Sequence, residues 1–432
     1  MLPDIALLEI FDLYVDGART GAWYTLVHVC RKWRYVVFGS PRRLNLRLSC
    51  KPRTPVRKTI DVWPLLPILV SAYGHCGVGN IIAALEHNDR ICELNLDDLP
   101  KSQMEKVFAA MQRPFPALKE LYLNSLRETS VVPASFLGGS APRLQELWLT
   151  SIPFPGLPKL LLSATHLVDL RLYGIPDSGY ISPEAMVNGL AVLTSLETLY
   201  IRFKSPQSCP RRPPPPTRTL LHALTRFQFK GVSEYLDDLV ARIDAPLLNY
   251  WNITFFYQSI FNTPQLTEFI SRTPKFKAYN GVHVEFSNHG FVVLTIDRQL
   301  SLEIPCGQSD RQLSSLAQVC GSIFIPVIEH LYVREETSYP LFWQDYTGTG
   351  QWLELLHRLT AVKVLRISRE FAPRIAPTLQ ELIGGRVTEV LPALRTLFLE
   401  GTLPSDVQET IDQFVAAREL AGRPIGVSRW KG

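Results

Sequence analysis

The sequence predicts an α/β solenoid: short parallel strands stacked by repetition, with a small helical unit in front and a helix at the end. Three observations carry this. A phrase of the form L-x-x-L-x-L-x-x-L recurs through most of the 432 residues. Apolar stretches at three-and-four spacing lie between several copies. The first 48 residues hold apolar stripes at helical period instead.

In the leading segment Leu7, Leu8, Phe11, Tyr14 and Val15 fall on one helical stripe behind Pro3 and Asp4. After Gly17 and Gly21, the residues Trp23, Leu26, Val27, Cys30, Trp33 (or Arg34) and Val37 continue the same spacing until Gly39-Ser40-Pro41 stops the helix. Two or three short helices this rich in Leu, Ile, Phe and Trp carry more apolar surface than so small a unit buries alone. Part of that surface is expected to meet a partner or the rest of the chain.

Segment 1–48 resembles an F-box. The usual pattern opens on Leu-Pro, here Leu2-Pro3, and runs into a Leu-Leu-x-Ile-Phe helix, here Leu7-Leu8-Glu9-Ile10-Phe11. A Trp follows (Trp23), then Val-Cys-[Arg/Lys]-x-Trp-Arg, here Val29-Cys30-Arg31-Lys32-Trp33-Arg34. The chain departs from the pattern at Ile5-Ala6, where the family commonly has Glu-Leu, in the first turn of partner contact.

Ser49 to Lys58 is basic and Pro-containing and reads as a connector. Trp63 to Ala72 and Val78 to Leu85 read as short buried helices, so 49–90 is expected to join the first unit to the repeats. From 91 to 404 the repeats run. The copies are Ile91-Leu94-Leu96-Leu99, Leu118-Leu121-Leu123-Leu126, Leu144-Leu147-Leu149-Ile152 and Leu167-Leu170-Leu172-Ile175. Leu196-Leu199-Ile201 and Leu224-Phe227-Phe229-Val232 come next, with a weaker copy around Leu247 to Ile253. The second apolar position steps by 23 to 29 residues, which is the leucine-rich-repeat range.

Each L-x-L is a short strand with alternate residues inward, and the rest of the period returns, often as a helix. Ser182-Pro183 ahead of Met186, Leu190 and Leu193 is one such helix start. Leu99, Leu126, Ile152 and Ile175 stand where such repeats carry Asn or Cys, so no continuous Asn ladder is expected. The Pro-rich loop 205–217, with CPRRPPPPT in it, reads as a surface insertion or a docking segment for a proline-reading domain. Thr263-Pro264 starts a helix with Leu266, Phe269 and Ile270. The period-two runs Val282-Val284-Phe286, Val292-Leu294-Ile296 and Leu300-Leu302-Ile304 suit strands, read as degenerate repeats with short returns.

Leu313, Leu316, Ala317 and Cys320 share a helical face. Clear copies resume at Leu331-Val333, Leu365-Ile367 and Leu397-Leu399, with steps of 34 and 32 residues that leave room for helices such as Trp352-Leu355-Leu356-Leu359. Ser405 with Gln408 reads as a capping box, opening a helix whose face of Val407, Ile411, Phe414, Val415 and Leu420 covers the last edge. Segment 405–432 is thus expected as a C-terminal cap.

Apolar residues make up 46% and charged residues 20%, ample for a folded core. The net charge of +5 is spread without a basic block and does not indicate nucleic acid. Seven scattered cysteines without CxxC spacing suggest neither a disulfide framework nor zinc, and read as small buried hydrophobes. No signal peptide precedes Leu2, and the greasy run Val62 to Tyr73 is short and cut by Pro64 and Pro67. An intracellular, soluble protein in cytoplasm, nucleus or both is expected.

No GxSxG, Walker, HExxH or dinucleotide fingerprint occurs. Gly348-Thr349-Gly350 reads as a turn. His75-Cys76 with His87 and Cys92 match no metal module, and Asp97-Asp98 and Asp237-Asp238 read as solvated acids, so no catalytic residue, metal or cofactor is assigned. The outward residue between the two inward positions of each strand gives Asn95, Tyr122, Trp148, Arg171, Tyr200, Gln228, Tyr332, Arg366 and Phe398. That aromatic and Arg-rich row suits a protein-binding concave face, or equally rings stacking across adjacent strands. Glu120, Glu146, Asp169, Arg202, Lys230 and Arg334 suggest a shift from acidic to basic along the array.

The whole chain is similar to fungal F-box proteins with degenerate leucine-rich repeats. That resemblance implies a substrate-recognition subunit of a Skp–cullin–F-box ubiquitin ligase, not itself an enzyme. Leu2, Pro3, Leu8, Ile10, Phe11, Val29 and Trp33 would dock the Skp-family adaptor, and through it a cullin, while the concave repeats bind a protein substrate. The alternative is a stand-alone leucine-rich scaffold whose leading helices only cap the array. A hydrolase or transferase with an unrecognised site would require a cleft of paired Ser/His/Asp or Cys/His groups.

Overall fold

The computed structural model describes residues 3–17, 22–39, 46–53, 55–74, 76–125, 131–207, 213, 216–256, 261–276, 281–287, 290–295, 297–306, 309–319, 328–335, 349–384 and 386–430. The chain forms two compact units, Met1–Ile181 with Ala185–Lys204, and Ser182–Glu184 with Ser205–Gly432.

The first unit opens with three helices. α1 (Asp4–Gly17) turns Leu7 and Phe11 inward, and the Phe11 ring meets Trp33 at 4.8 Å between centroids. The second apolar run is two helices rather than one, α2 (Ala22–Val29) and α3 (Arg31–Gly39), broken at Cys30. The break is satisfied locally: Cys30 Sγ accepts the Trp33 backbone N–H at 3.4 Å, and Arg34 Nε donates to the Val27 carbonyl at 3.0 Å. Cys30 is therefore exposed as a cap, not a buried hydrophobe.

The parallel sheet starts earlier than the phrase suggests. β1 (Leu46–Ser49) pairs with β2 (Ile68–Tyr73), and β2 with β3 (Ile91–Asp97). Residues 68–72, expected as part of a helix, are therefore strand. The returns between these strands are α4 (Val56–Val62) and α5 (Val78–Leu85). A six-residue apolar run between Pro67 and Gly74 carries no periodicity that separates strand from helix. Thus 49–90 belongs to the repeat array, and β1 begins inside the segment assigned to the leading helices.

From β3 onward the inward leucines keep one register, with a shift only beyond Leu172 between the sixth and seventh strands. β4 (Glu120–Asn124), β5 (Glu146–Thr150), β6 (Asp169–Ile175) and β7 (Thr198–Phe203) align Leu94, Leu121, Leu147, Leu170 and Leu199 one beside the next, each 0% exposed. Parallel neighbours need a crossover, and α6 (Lys101–Ala110), α7 (Leu157–Leu161) and α8 (Pro183–Leu190) lie in those returns. They bury Met104, Phe108, Leu160 and Met186. Leu99, Ile152 and Ile175 are also buried, so apolar contact replaces an Asn ladder there; Leu126 lies outside the described residues.

In the second unit β8 (Thr219–Leu220) and β10 (Ile243–Asp244) pair with each other, while β9 (Arg226–Gly231) pairs with β11 (Tyr250–Phe255) across α9 (Ser233–Ala241). Here the inward positions are aromatic, with Phe227 and Trp251 stacked at 5.7 Å. α10 (Pro264–Arg272) buries Leu266, Phe269 and Ile270 as the spacing predicts.

The repeat then breaks. β12 (Gly281–Ser287), β13 (Gly290–Thr295) and β14 (Leu300–Pro305) form an antiparallel meander, not degenerate repeats with short returns. Their links of two and four residues are too short for a parallel crossover. The meander enters the sheet in reverse, β11-β14-β13-β12-β15, where β15 is His330–Glu335. In three antiparallel strands the first and third run the same way, so β14 lies parallel to β11 and β12 to β15, and parallel stacking resumes. On β13 the predicted alternation is off by one: Phe291 and Val293 are buried, and Val292 and Leu294 take the other face. Ile296 lies outside the described residues.

α11 (Ser309–Val319), α12 (Thr349–Arg358), β16 (Val364–Ile367), α13 (Ala372–Glu381) and β17 (Thr396–Glu400) complete the stack, with Leu331, Leu365 and Leu397 in register. α14 (Ser405–Leu420) buries Val407, Ile411 and Phe414 and packs beside α13 as one more return. It does not close the edge. Gly422, at φ 73°, turns the chain into β18 (Gly426–Trp430), which pairs with β17 and is itself the final strand.

The Ser405/Gln408 capping box does not form either. Pro404 stands at the cap, and Gln408 instead accepts from Arg429 at 2.5 Å and donates to Asp412 at 2.8 Å. Val415 is half-buried and Leu420 is exposed. The inward place in the last turn goes to Arg418, which is 0% exposed. Cys50, Cys76 and Cys306 are buried and Cys92 half-buried; Cys209, Cys320 and most of the Pro-rich loop lie outside the described residues.

Candidate functional site

In the first unit the outward row reads Asn95, Tyr122, Trp148, Arg171 and Tyr200 across five adjacent strands. From Tyr122 on, these side chains pack on one another. Tyr122 sits edge-on to Trp148 at 4.8 Å, and the Arg171 guanidinium lies 3.9 Å from the Trp148 ring centre and 4.7 Å from that of Tyr200. Tyr122, Trp148 and Arg171 remain half-exposed, whereas Tyr200 is buried beneath Arg171 and Tyr173 and is not available as a contact residue.

The next row is acidic: Glu93, Glu120, Glu146 and Asp169 stand in register. Asp169 binds Arg171 through a fork of 2.8 and 2.7 Å, which holds the guanidinium well above its ordinary range. The Tyr122 hydroxyl lies 2.5 Å from Glu146 and 3.2 Å from Glu120, and burial followed by that bond to Glu146 pushes its phenol up. Burial, then Glu120, pushes the Glu93 carboxyl up.

The expected acidic-to-basic gradient is not formed. The acids precede the first inward Leu of each strand, whereas Arg202 follows the second and lies over Tyr173 at 5.7 Å. In the second unit Lys230 lies over Phe256, and Arg334 is bound to Glu285 at 2.8 Å. The two signs occupy different rows of the strands, and the bases are stacked or paired.

The second unit has its own outward set. Gln228 pairs in register with Asn252 and is half-buried. Tyr332 stacks on His283 at 4.5 Å and meets Trp430 edge-on at 5.7 Å; Phe398 meets Trp430 at 6.5 Å and carries Arg366 at 5.1 Å. Burial, reinforced by Arg334, pushes the His283 imidazole down to about 4. Neither His283 nor Trp430 was visible to the repeat pattern, because they arrive on the antiparallel meander and on β18, which lack the leucine phrase.

On the leading helices the expected docking residues divide. Pro3, Ile10 and Val29 are exposed, Leu8 and Trp33 half-exposed, and Leu2 lies outside the described residues. Phe11 is 4% exposed, its ring spent on Trp33 within the unit, so it is core rather than surface. Ile5, Leu13, Tyr14, Tyr35 and Phe38 are exposed as well, with Leu13 at 76%. At 100° per residue Ile5 and Leu13 lie on the side of α1 away from Leu7 and Phe11, while Ile10 and Tyr14 lie along the edge of the Leu7/Phe11 stripe. The signal for this was present: α1 is apolar around most of its circumference, as a helix covered on both sides is.

Among the described residues no group of three or more His, Cys, Asp or Glu could hold a metal ion, and no helix is long and apolar enough to cross a membrane. Parallel strands in register, inward leucines and helical returns define a leucine-rich-repeat-like architecture in each unit. No family model and no curated protein matches the chain. Among solved structures it is similar to the leucine-rich repeat-containing protein LegL7 from Legionella pneumophila, at 10% identity and a TM-score of 0.28, over 86% of this chain and 97% of that one. The repeat assignment rests on the strand register of this chain.

Proposed function

We propose that the chain is a protein-recruiting adaptor of the F-box type. Helices α1–α3 dock a Skp-family adaptor and through it a cullin, and the outward rows of the repeats hold a protein to be ubiquitinated. The single observation carrying this reading is the number of apolar side chains that the leading helices leave uncovered: Ile5, Ile10, Leu13, Val29, Tyr35 and Phe38 face solvent. Covering one such side chain is worth roughly 1.5–3 kcal/mol before the cost of association, so a partner covering several gains enough to bind. The chain then acts by holding two proteins near each other and performs no bond chemistry.

The test is co-purification of the full chain with a Skp-family adaptor. Ile10→Glu with Leu13→Glu is expected to abolish co-elution while leaving the melting curve unchanged, since both side chains are already in water. Phe11→Glu is unsuited because it would break the unit itself. Failure of the intact chain to co-elute, or equal co-elution of the double variant, rejects the reading. The stand-alone repeat scaffold would then remain, and the interior position of Phe11 favours it.

A further inference from the structure

A cavity of about 470 Å³ lies in the second unit, walled by the loops that lead into β16, β17 and β18. Three successive loops each contribute one cation: Lys363 and Arg395 stand at the same place, just before β16 and β17, and Arg423 comes two residues earlier relative to β18. Lys363 is bound to Glu329, but among the described residues neither Arg395 nor Arg423 has a carboxylate within salt-bridge distance. A fourth cation stands behind the wall. Arg418 is 0% exposed, and its guanidinium donates to backbone carbonyls of two wall residues, Arg423 at 3.4 Å and Leu394 at 3.5 Å. Further carbonyls, at 3.1 to 3.5 Å, complete its shell, and among the described residues no acid pairs with it. A buried cation solvated only by carbonyls keeps its full charge, and its field is weakly screened toward the cavity.

We propose that this cavity binds a phosphate-bearing ligand. Its volume falls in the range of small-ligand sites, roughly 300–1,000 Å³. Two free guanidiniums match a dianionic phosphoryl group by forked hydrogen bonds, and a monoanionic carboxylate would leave the positive charge in excess. Thr360 adds a hydroxyl to the same wall. Arg418 acts through the wall as a positioning residue and does not reach the ligand. Independent support comes from the electrostatics: Arg423 helps to depress the Arg418 guanidinium, after burial, and Lys363, His330 and Arg395 hold the Glu329 carboxyl below its usual range. The site is independent of the adaptor reading, because it lies on the repeats and not on α1–α3.

The phosphate could come from a free polyphosphate-like small molecule or from a phosphorylated side chain of a partner. Calorimetry on the full chain would use tripolyphosphate, a phosphoserine peptide and the same peptide without phosphate. Binding of either phosphate probe, with none of the plain peptide, is expected. Tighter binding of the peptide assigns a protein-borne phosphate, and tighter binding of tripolyphosphate a free one. Arg395→Gln with Arg423→Gln removes two charged donors from exposed positions and is expected to weaken binding about a hundredfold, with each single change about tenfold. The melting temperature without probe should stay the same, which separates loss of the site from loss of the fold. No binding of either phosphate probe, equal binding by the double variant, or equal binding of both peptides overturns the proposal.

Discussion

Replacing Arg418 by Met asks whether the fully buried guanidinium stabilises the last repeats. Met is of similar length and fills the space without a large cavity, so packing is nearly conserved. What is lost are bonds to the carbonyls of Val387 at 3.1 Å and Val390 at 3.3 Å, with longer ones to Arg423, Leu391 and Leu394 at 3.4 to 3.5 Å. Counting only the two shorter bonds, at about 1.5–3 kcal/mol for each charge-assisted bond, gives about 3–6 kcal/mol. Relief of the cation's own desolvation, the cause of its depressed guanidinium, offsets part of this. A net loss of about 3 kcal/mol is expected.

In a repeat array such a loss is felt first by the neighbouring repeats. Amide exchange in β17 and β18 should therefore accelerate about a hundredfold, with urea unfolding shifted in parallel and β4 and β5 unchanged. An equally or more stable Met variant would refute the reasoning, because buried ionic groups replaced by apolar ones sometimes behave that way.

Two further outcomes test the second unit. Gly290 has φ 152°, and a Cβ there would stand 2.0 Å from the Ile304 carbonyl oxygen and 2.8 Å from the Pro305 Cα, both backbone atoms of the adjacent strand. Gly290→Ala is thus expected to cost about 3 kcal/mol or more in thermal unfolding, and a loss below about 1 kcal/mol would mean that β13 and β14 do not pack this closely. His283 takes its proton at about 4 when folded against 6.5 otherwise, so between those values the unfolded chain binds more protons. Its contribution is present above about pH 6.5 and is lost as pH falls towards 4, amounting to about 3 kcal/mol at most. Arg334, Arg298, Glu285 and Tyr332 are the groups that face it. His283→Gln should flatten the stability profile over that window; an unchanged slope would count against the burial of this ring.

Where each side chain's fate depends on near neighbours in sequence, the chain was legible. The leucine phrase placed β3 to β7 and β15 to β17, and the inward positions came from the period-two rule, because a strand with one buried face tolerates no slip. Helices at Pro183 and Pro264 were likewise readable from their starts and apolar faces, and the one at Ser405 from Val407, Ile411 and Phe414 though not from its start.

What local pattern could not decide was pairing. Residues 68–72 became strand because β1 and β3 offered edges on both sides, and the three runs from 281 to 305 became hairpins because their links are too short to cross over. The outward rows show the same division. Tyr122, Trp148, Arg171 and Tyr200 were placed on one face by spacing alone, yet only packing across strands left the first three half-exposed and covered the fourth. Arg418 is the clearest case: a charge on a helix reads as solvent-facing, and it is inside because carbonyls from 387 to 394, distant in sequence, converge on it. The sequence by itself therefore determined which residues repeat and which way they point. The tertiary structure decided which strands meet, which rings are spent on each other, and where charge is buried, because those energies belong to contacts between residues far apart along the chain.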